Sequence, residues 1–169
     1  GFLCLKETGR DTVELYVMGV LKARHRTGAG RALVEAAKRA AHEAGMPVIG
    51  SCHDFEKTPS IEAMENKLRR MAALGADVCK IAVMPRNRRD VVALTAACAQ
   101  ADDALTQPII AISMGEMGMP TRICAEAMGS CLSFGTAGAA SAPGQMEAGA
   151  LREALALVHR ALARKPQGF

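Results

Sequence analysis

The sequence predicts an α/β protein, a parallel sheet with helices packed outside it, either doubly wound or built as a (β/α) barrel. From about residue 46, short apolar runs alternate with longer stretches of helical period, and Gly or Pro marks the joints, among them Pro47, Gly75, Pro85, Pro108, Gly115 and Pro143. The chain of 169 residues is 50% hydrophobic and 22% charged, which suits one soluble domain able to bury a core.

In chain order, GFLCLKE and VELYVMGVL read as two strands joined by the polar turn TGRDT, and an amphipathic helix follows over 28–44. Between them lies the Arg- and Gly-rich KARHRTGAGR. This amino-terminal segment, 1–45, differs in character from the alternating 46–169. The second segment opens with a strand in MPVIGSCHDF (46–55), followed by a helix over 61–75 in which Ile61, Met64, Leu68, Met71 and Ala72 recur at helical spacing. A strand in ADVCKIAVMP, a helix in RDVVALTAACAQAD and a strand in PIIAISMG come next. A helix around TRICAEAMG, a strand in CLSFGTA, a loop AASAPGQ and a last helix from Glu147 complete the pattern.

Composition narrows the function. Aromatic residues make up 3%, with no Trp and one Tyr, which argues against a stacking platform for single-stranded nucleic acid. A formal charge of +4 is too mild and dispersed to point to a nucleic-acid partner, and fits binding of small anions. No run approaches the roughly 18 apolar residues of a membrane span, and the opening lacks the parts of a secretory signal. The expected location is therefore cytoplasmic. Six scattered cysteines with no C-x-x-C pair suit reduced thiols rather than zinc ligands or a disulfide framework. The chain opens on Gly1 rather than Met, which fits a processed product or a fragment.

The strand VCKIAVM holds the strongest chemical signal. Alternation places Lys80 on one face with Ala82 and Met84, opposite Cys79, Ile81 and Val83, so a lysine stands in the middle of an apolar strand. An ammonium there requires an ion pair or a lowered pKa, and a lysine that loses its proton near neutrality is what imine formation with a ketone needs. A solvated lysine at a sheet edge is the alternative. One strand earlier, His53 falls at the carboxyl end on the side of Ile49 and Ser51, where barrel enzymes place proton-transfer groups. Arg122, Ser141 and Gln145 follow on later loops, and converging at one rim they would hold a carboxylate and hydroxyls.

HDFEKTPS, ADVCKIAVMP, IAISMGEMG and TRICAEAMGSCLSFGTAGAASAPGQ, in this order and spacing, resemble the carboxyl-terminal part of type I 3-dehydroquinate dehydratase, over roughly residues 40–165. The resemblance implies a class I aldolase-like TIM-type (β/α)8 barrel, here incomplete, and dehydration of 3-dehydroquinate to 3-dehydroshikimate through a lysine Schiff base without metal or organic cofactor. It implies Lys80 as the imine-forming residue and His53 as the group that takes and returns the proton. Arg122, Ser141 and Gln145 match positions that hold the substrate carboxylate and hydroxyls. It also implies a small-molecule partner only, no nucleic acid and no membrane, with a homodimer as the expected assembly.

A full barrel has eight strands and about 250 residues. Four strands are legible here, or five if VELYV counts, with Glu14 at an acidic position of the family's preceding strand. The amino-terminal ELYVMGVLKARHRTGAGRALVEAAKRAA is similar instead to the acyl-CoA-binding core of the GNAT acetyltransferases, a strand, a glycine loop and a helix. Its backbone N–H groups from Arg26 through Gly28 to Gly30 would receive a pyrophosphate, with His25 at the family's usual Arg or Gln position. Two functions stay open: a dehydratase, with turnover impaired by truncation, or a truncated or fused non-catalytic chain with a phosphate-binding loop.

Overall fold

The computed structural model describes residues 1–9, 12–139 and 142–163, and the chain divides into two units, Gly1–Val48 and Ile49–Phe169. In the first, β1 (Phe2–Gly9) and β2 (Thr12–Gly19) form an antiparallel hairpin whose register shifts between Cys4 and Leu5 and again between Glu7 and Gly9. A single turn, Lys22–Arg24, leads to α1 (Ala29–Glu43), which begins after Gly28 at φ +86°, a left-handed conformation that glycine adopts without steric cost. None of the described residues of this unit is buried.

The second unit carries the expected alternation: β3 (Ile49–Asp54), α2 (Ile61–Ala73), β4 (Val78–Val83), α3 (Arg88–Ala104), β5 (Ile109–Ser113), α4 (Met119–Ile123) and α5 (Ala148–Leu162). Side-chain caps fix where the long helices begin. Ser60 Oγ accepts from Ala63 N–H at 3.3 Å before α2, Asn87 Oδ1 accepts from Arg89 and Asp90 N–H before α3, and both Glu147 oxygens are taken by Gly149 and Ala150 N–H before α5.

The three strands are parallel in the sequential order β3-β4-β5. Sequential order with α2 and α3 together on one side is the arrangement of a (β/α) barrel, whereas a doubly wound sheet reverses its order and carries helices on both faces. The outer face is a dry core: Cys79, Ile81 and Val83 of β4 and Ile109 and Ala111 of β5 pack against Met64 and Leu68 of α2 and Leu94, Ala97, Cys98 and Ala101 of α3. On the inner face Ala82, Ile110, Ile112 and Met114 form a second cluster with Val78, Met84 and Phe134.

Two expected elements differ. The strand over 131–137 does not form: the segment meets β5 through one parallel bridge, Ile109 with Ser130, and through Cys131 N–H donating to Ile109 O at 2.8 Å. Two residues along β5, the Ser130 hydroxyl takes the N–H of Ala111 at 3.1 Å, so a side chain occupies the place of the next ladder bond. The helix expected around 121–129 is short, with α4 ending at Ile123 and a separate turn at Glu126–Met128 closed by Gly129 at φ +79°. A Cβ at Gly129 would lie 2.9 Å from the Asp102 side chain of α3, so both backbone angle and space call for glycine there.

Candidate active site

Parallel pairing aligns Ser51 with Lys80 and His53 with Ala82, which puts Ile49, Ser51, His53, Lys80 and Ala82 on the inner face. Lys80 stands on the middle strand, half-buried, so it is not a solvated lysine at a sheet edge. Its Nζ lies 4.3 Å from the centroid of the Phe134 ring, a cation–π contact. His53 is diagonal to it on β3. Withdrawal from water and, second, the Lys80 ammonium lower the pKa of this imidazole from its ordinary value, so the ring is held toward its neutral, proton-accepting form. Ser51 Oγ lies 3.4 Å from His53 Nε2, and the Phe55 ring stacks with the imidazole at 6.0 Å between centroids.

Arg122 enters from α4 and is 1% exposed, so it is no surface residue of a solvated helix. Its Nη1 donates to Phe134 O and its Nη2 to Pro143 O, each at 3.2 Å, while its buried Nε has no partner among the described residues. Burial lowers its pKa from the ordinary value, although a guanidinium stays charged at neutral pH. A buried cation that spends two donors on neutral carbonyls, with no carboxylate against it among the described residues, favours an incoming anion. The loop that supplies Pro143 is set against the end of β5: Gly115 N–H donates to Pro143 O at 3.1 Å, and a Cβ at Gly144 would collide with the Gly115 backbone. Gln145 is half-buried in this loop, its Oε1 accepting from Ala142 N–H at 3.3 Å, while Ser141 lies outside the described residues.

The structure thus brings Lys80, His53 and, through Phe134, Arg122 to one side of the sheet. Phe134 is the member that sequence reasoning missed. Its signal was a single large apolar side chain in CLSFGTA, which reads as one more core-facing strand residue. Two further contacts lace the loops that leave the strands: Thr58 Oγ1 donates to Met84 O at 3.1 Å and Arg86 Nε to Glu56 O at 3.1 Å. Of the proposed phosphate loop, Arg26 and Gly28 are exposed and Gly30 is half-buried at the start of α1, with Thr27 Oγ1 donating to Arg24 O and His25 Nε2 2.9 Å from Val20 O. Among the described residues no group of His, Cys, Asp and Glu could hold a metal ion, and no helix is long and apolar enough to cross a membrane.

Comparison with known proteins covers this same stretch. A family model described as type I 3-dehydroquinase matches residues 28–161, so the match begins before the residue 40 expected from motifs and takes in α1. A 3-dehydroquinate dehydratase of Lactiplantibacillus plantarum is 49% identical over 116 residues, 69% of this chain and 46% of that protein. Its counterpart in Listeria monocytogenes serotype 4b is 45% identical over 120 residues, 71% of this chain and 48% of that protein. The chain spans about half the length of the curated relatives it matches. Among solved structures, the type I 3-dehydroquinate dehydratase of Clostridium difficile, with covalently modified comenic acid, superposes with a TM-score of 0.74 at 42% identity, covering 78% of this chain and 52% of that one. That of Geobacillus kaustophilus gives 0.73 at 31% identity, with 78% and 51% covered. The fold is accordingly part of a TIM-type barrel. The acyl-CoA-loop resemblance draws no support from these matches, which assign α1 to the dehydroquinase stretch.

Proposed function

Because the chain belongs to the type I 3-dehydroquinase family, we propose that its inner face carries the imine-forming half of a dehydratase site acting on 3-dehydroquinate. The observation that carries this reading is the placement of Lys80 and His53 on one face of adjacent parallel strands, with the cationic Arg122 tied to Phe134 beside Lys80.

In this reading the Lys80 amine attacks the substrate ketone, water leaves, and a protonated imine remains. The imine draws electron density from the neighbouring carbon, so loss of a proton from that carbon to neutral His53 yields an enamine rather than a bare carbanion. The enamine expels the β-hydroxyl as water by taking the proton back from the His53 imidazolium. A second water then hydrolyses the imine, releasing 3-dehydroshikimate and restoring the amine, for a net loss of one water. Arg122 would hold the substrate carboxylate, and Gln145 and Ser141 its hydroxyls. Each role uses a side chain of this chain, and none requires a metal or organic cofactor. A cytoplasmic homodimer is the setting this reading implies.

The test is intact-mass spectrometry after incubation with 3-dehydroquinate and borohydride, with peptide mapping. A reduced adduct is expected on Lys80 and is absent from Lys80→Ala. A folded sample that gives no adduct removes the proposal for this chain.

A further inference from the structure

The geometry points to Phe134 as a positioning residue for Lys80: its ring face receives the amine, while its carbonyl is anchored by the guanidinium of Arg122. This deepens the proposed site and rests on it for the importance of Lys80. Three observations converge on this one residue. The Lys80 Nζ is 4.3 Å from the ring centroid, within cation–π range. The carbonyl of the same residue accepts from Arg122 Nη1 at 3.2 Å, and Arg122 is itself 1% exposed, so the anchor is held in packed surroundings. The next residue, Gly135, lies so close to Ala148 that a Cβ there would stand 2.8 Å from its Cα, which fixes the chain just past the ring against the start of α5.

The segment 131–137 forms no strand; single bridges pair Ser130 with Ile109 and Thr136 with Glu147 on either side of Phe134, so no continuous ladder sets the ring's position. Arg122 supplies that constraint from α4. The ring's negative face favours the ammonium over the free amine, so Phe134 aims the resting Lys80 at a modest cost in free amine, and the ammonium must give up its proton before it attacks a carbonyl. Carboxylate recognition and imine formation thereby share one residue: Arg122 grips its backbone, and Lys80 rests on its side chain.

The experiment is competitive labelling with acetic anhydride, which acylates only the free amine, with the rate at Lys80 followed against pH by peptide mapping. Phe134→Leu removes the ring face and should move the Lys80 profile about half a pH unit toward lower pH, while Phe134→Tyr keeps the wild-type profile. Coincident profiles for Phe134→Leu and wild type overturn the inference. If Phe134→Leu fails to fold, the unmodified chain decides: a ring contact requires the Lys80 Hε resonances to lie upfield of those of the other lysines, and unshifted resonances overturn it. Acetic anhydride needs no dehydratase activity. A chain that gives no borohydride adduct yet shows the shift therefore loses the proposed function and keeps the positioning role, and the reverse pair of results does the opposite.

Discussion

The two faces of the β3-β4-β5 sheet are made from alternate residues of the same strands, yet they are different materials. Cys79, Ile81 and Val83 point outward into a core in which each is at most 1% exposed, closed by Leu94, Ala97, Cys98 and Ala101 of α3 and by Met64 and Leu68 of α2. Lys80 and Ala82, interleaved with them, point inward to the side that also holds Ser51 and His53. A period-two element can thus keep its stability on one face and its chemistry on the other, because a substitution at residue i leaves the surroundings of i+1 largely alone. What separates the faces is their cover along β3, since Ala82, Ile110 and Ile112 of the inner face are themselves buried. Helices seal the outer one, while on β3 the inner residues Ile49, Ser51 and His53 are exposed.

The largest effect on stability should therefore come from the outer face. Leu94→Ala removes a side chain with 0% exposure and is expected to cost about 2–5 kcal/mol, read as a lowered urea midpoint. Lys80→Ala, half-buried on the other face, should cost about 1 kcal/mol or less. Equal losses from the two would erase the distinction between the faces.

A smaller effect separates packing from capping on that outer layer. Asn87 is exposed, but its Oδ1 accepts from Arg89 N–H at 2.9 Å and Asp90 N–H at 3.2 Å at the start of α3, and Asp90 Oδ2 in turn accepts from Arg86 N–H at 2.7 Å. Asn87→Ala should cost about 1 kcal/mol through those two orphaned donors. Asn87→Asp should restore most of it, since a carboxylate accepts the same bonds. Loss of the adduct on Lys80 in Asn87→Ala would mean that the helix layer tunes the inner face directly.

Much of this architecture was legible in the sequence because burial imposes period. Lys80 could be placed on a face with Ala82 because each strand neighbour was apolar, and α2 could be traced through Met64 and Leu68 because they recur at helical spacing. The segment 131–137 was not legible. Its Cys, Leu and Phe read as a strand, but the Ser130 hydroxyl takes the Ala111 N–H, a side-chain competition that composition does not show. For the candidate site, alternation and the strand-end position of His53 placed it on one face with Lys80, whereas the burial of Arg122 on two backbone carbonyls depends on loops meeting from distant parts of the chain. Phe134 escaped for the same reason: its ring meets Lys80 across 54 positions of sequence, beyond any local pattern.

The smallest effect tests whether the inner face is one site. The His53 imidazole has its pKa lowered from the ordinary 6.5, first by withdrawal from water and second by the Lys80 ammonium. Between the folded value and 6.5 the unfolded chain binds more protons at this residue than the folded chain does, so its contribution to stability is present above 6.5 and is lost as pH falls through that window. His53 as a residue keeps much of its surface in water and is only partly withdrawn from it, so the loss should be slight, and the titration itself is the better readout. The C2–H resonance of His53 should titrate with a midpoint below 6.5. Lys80→Ala should raise that midpoint only part of the way, because the larger cause, burial, survives the substitution. A return all the way to the ordinary value would make the ammonium the dominant neighbour. No movement at all would mean that Lys80 and His53 do not sense each other, and a proton relay between an imine on one and the imidazole of the other would lose its physical basis.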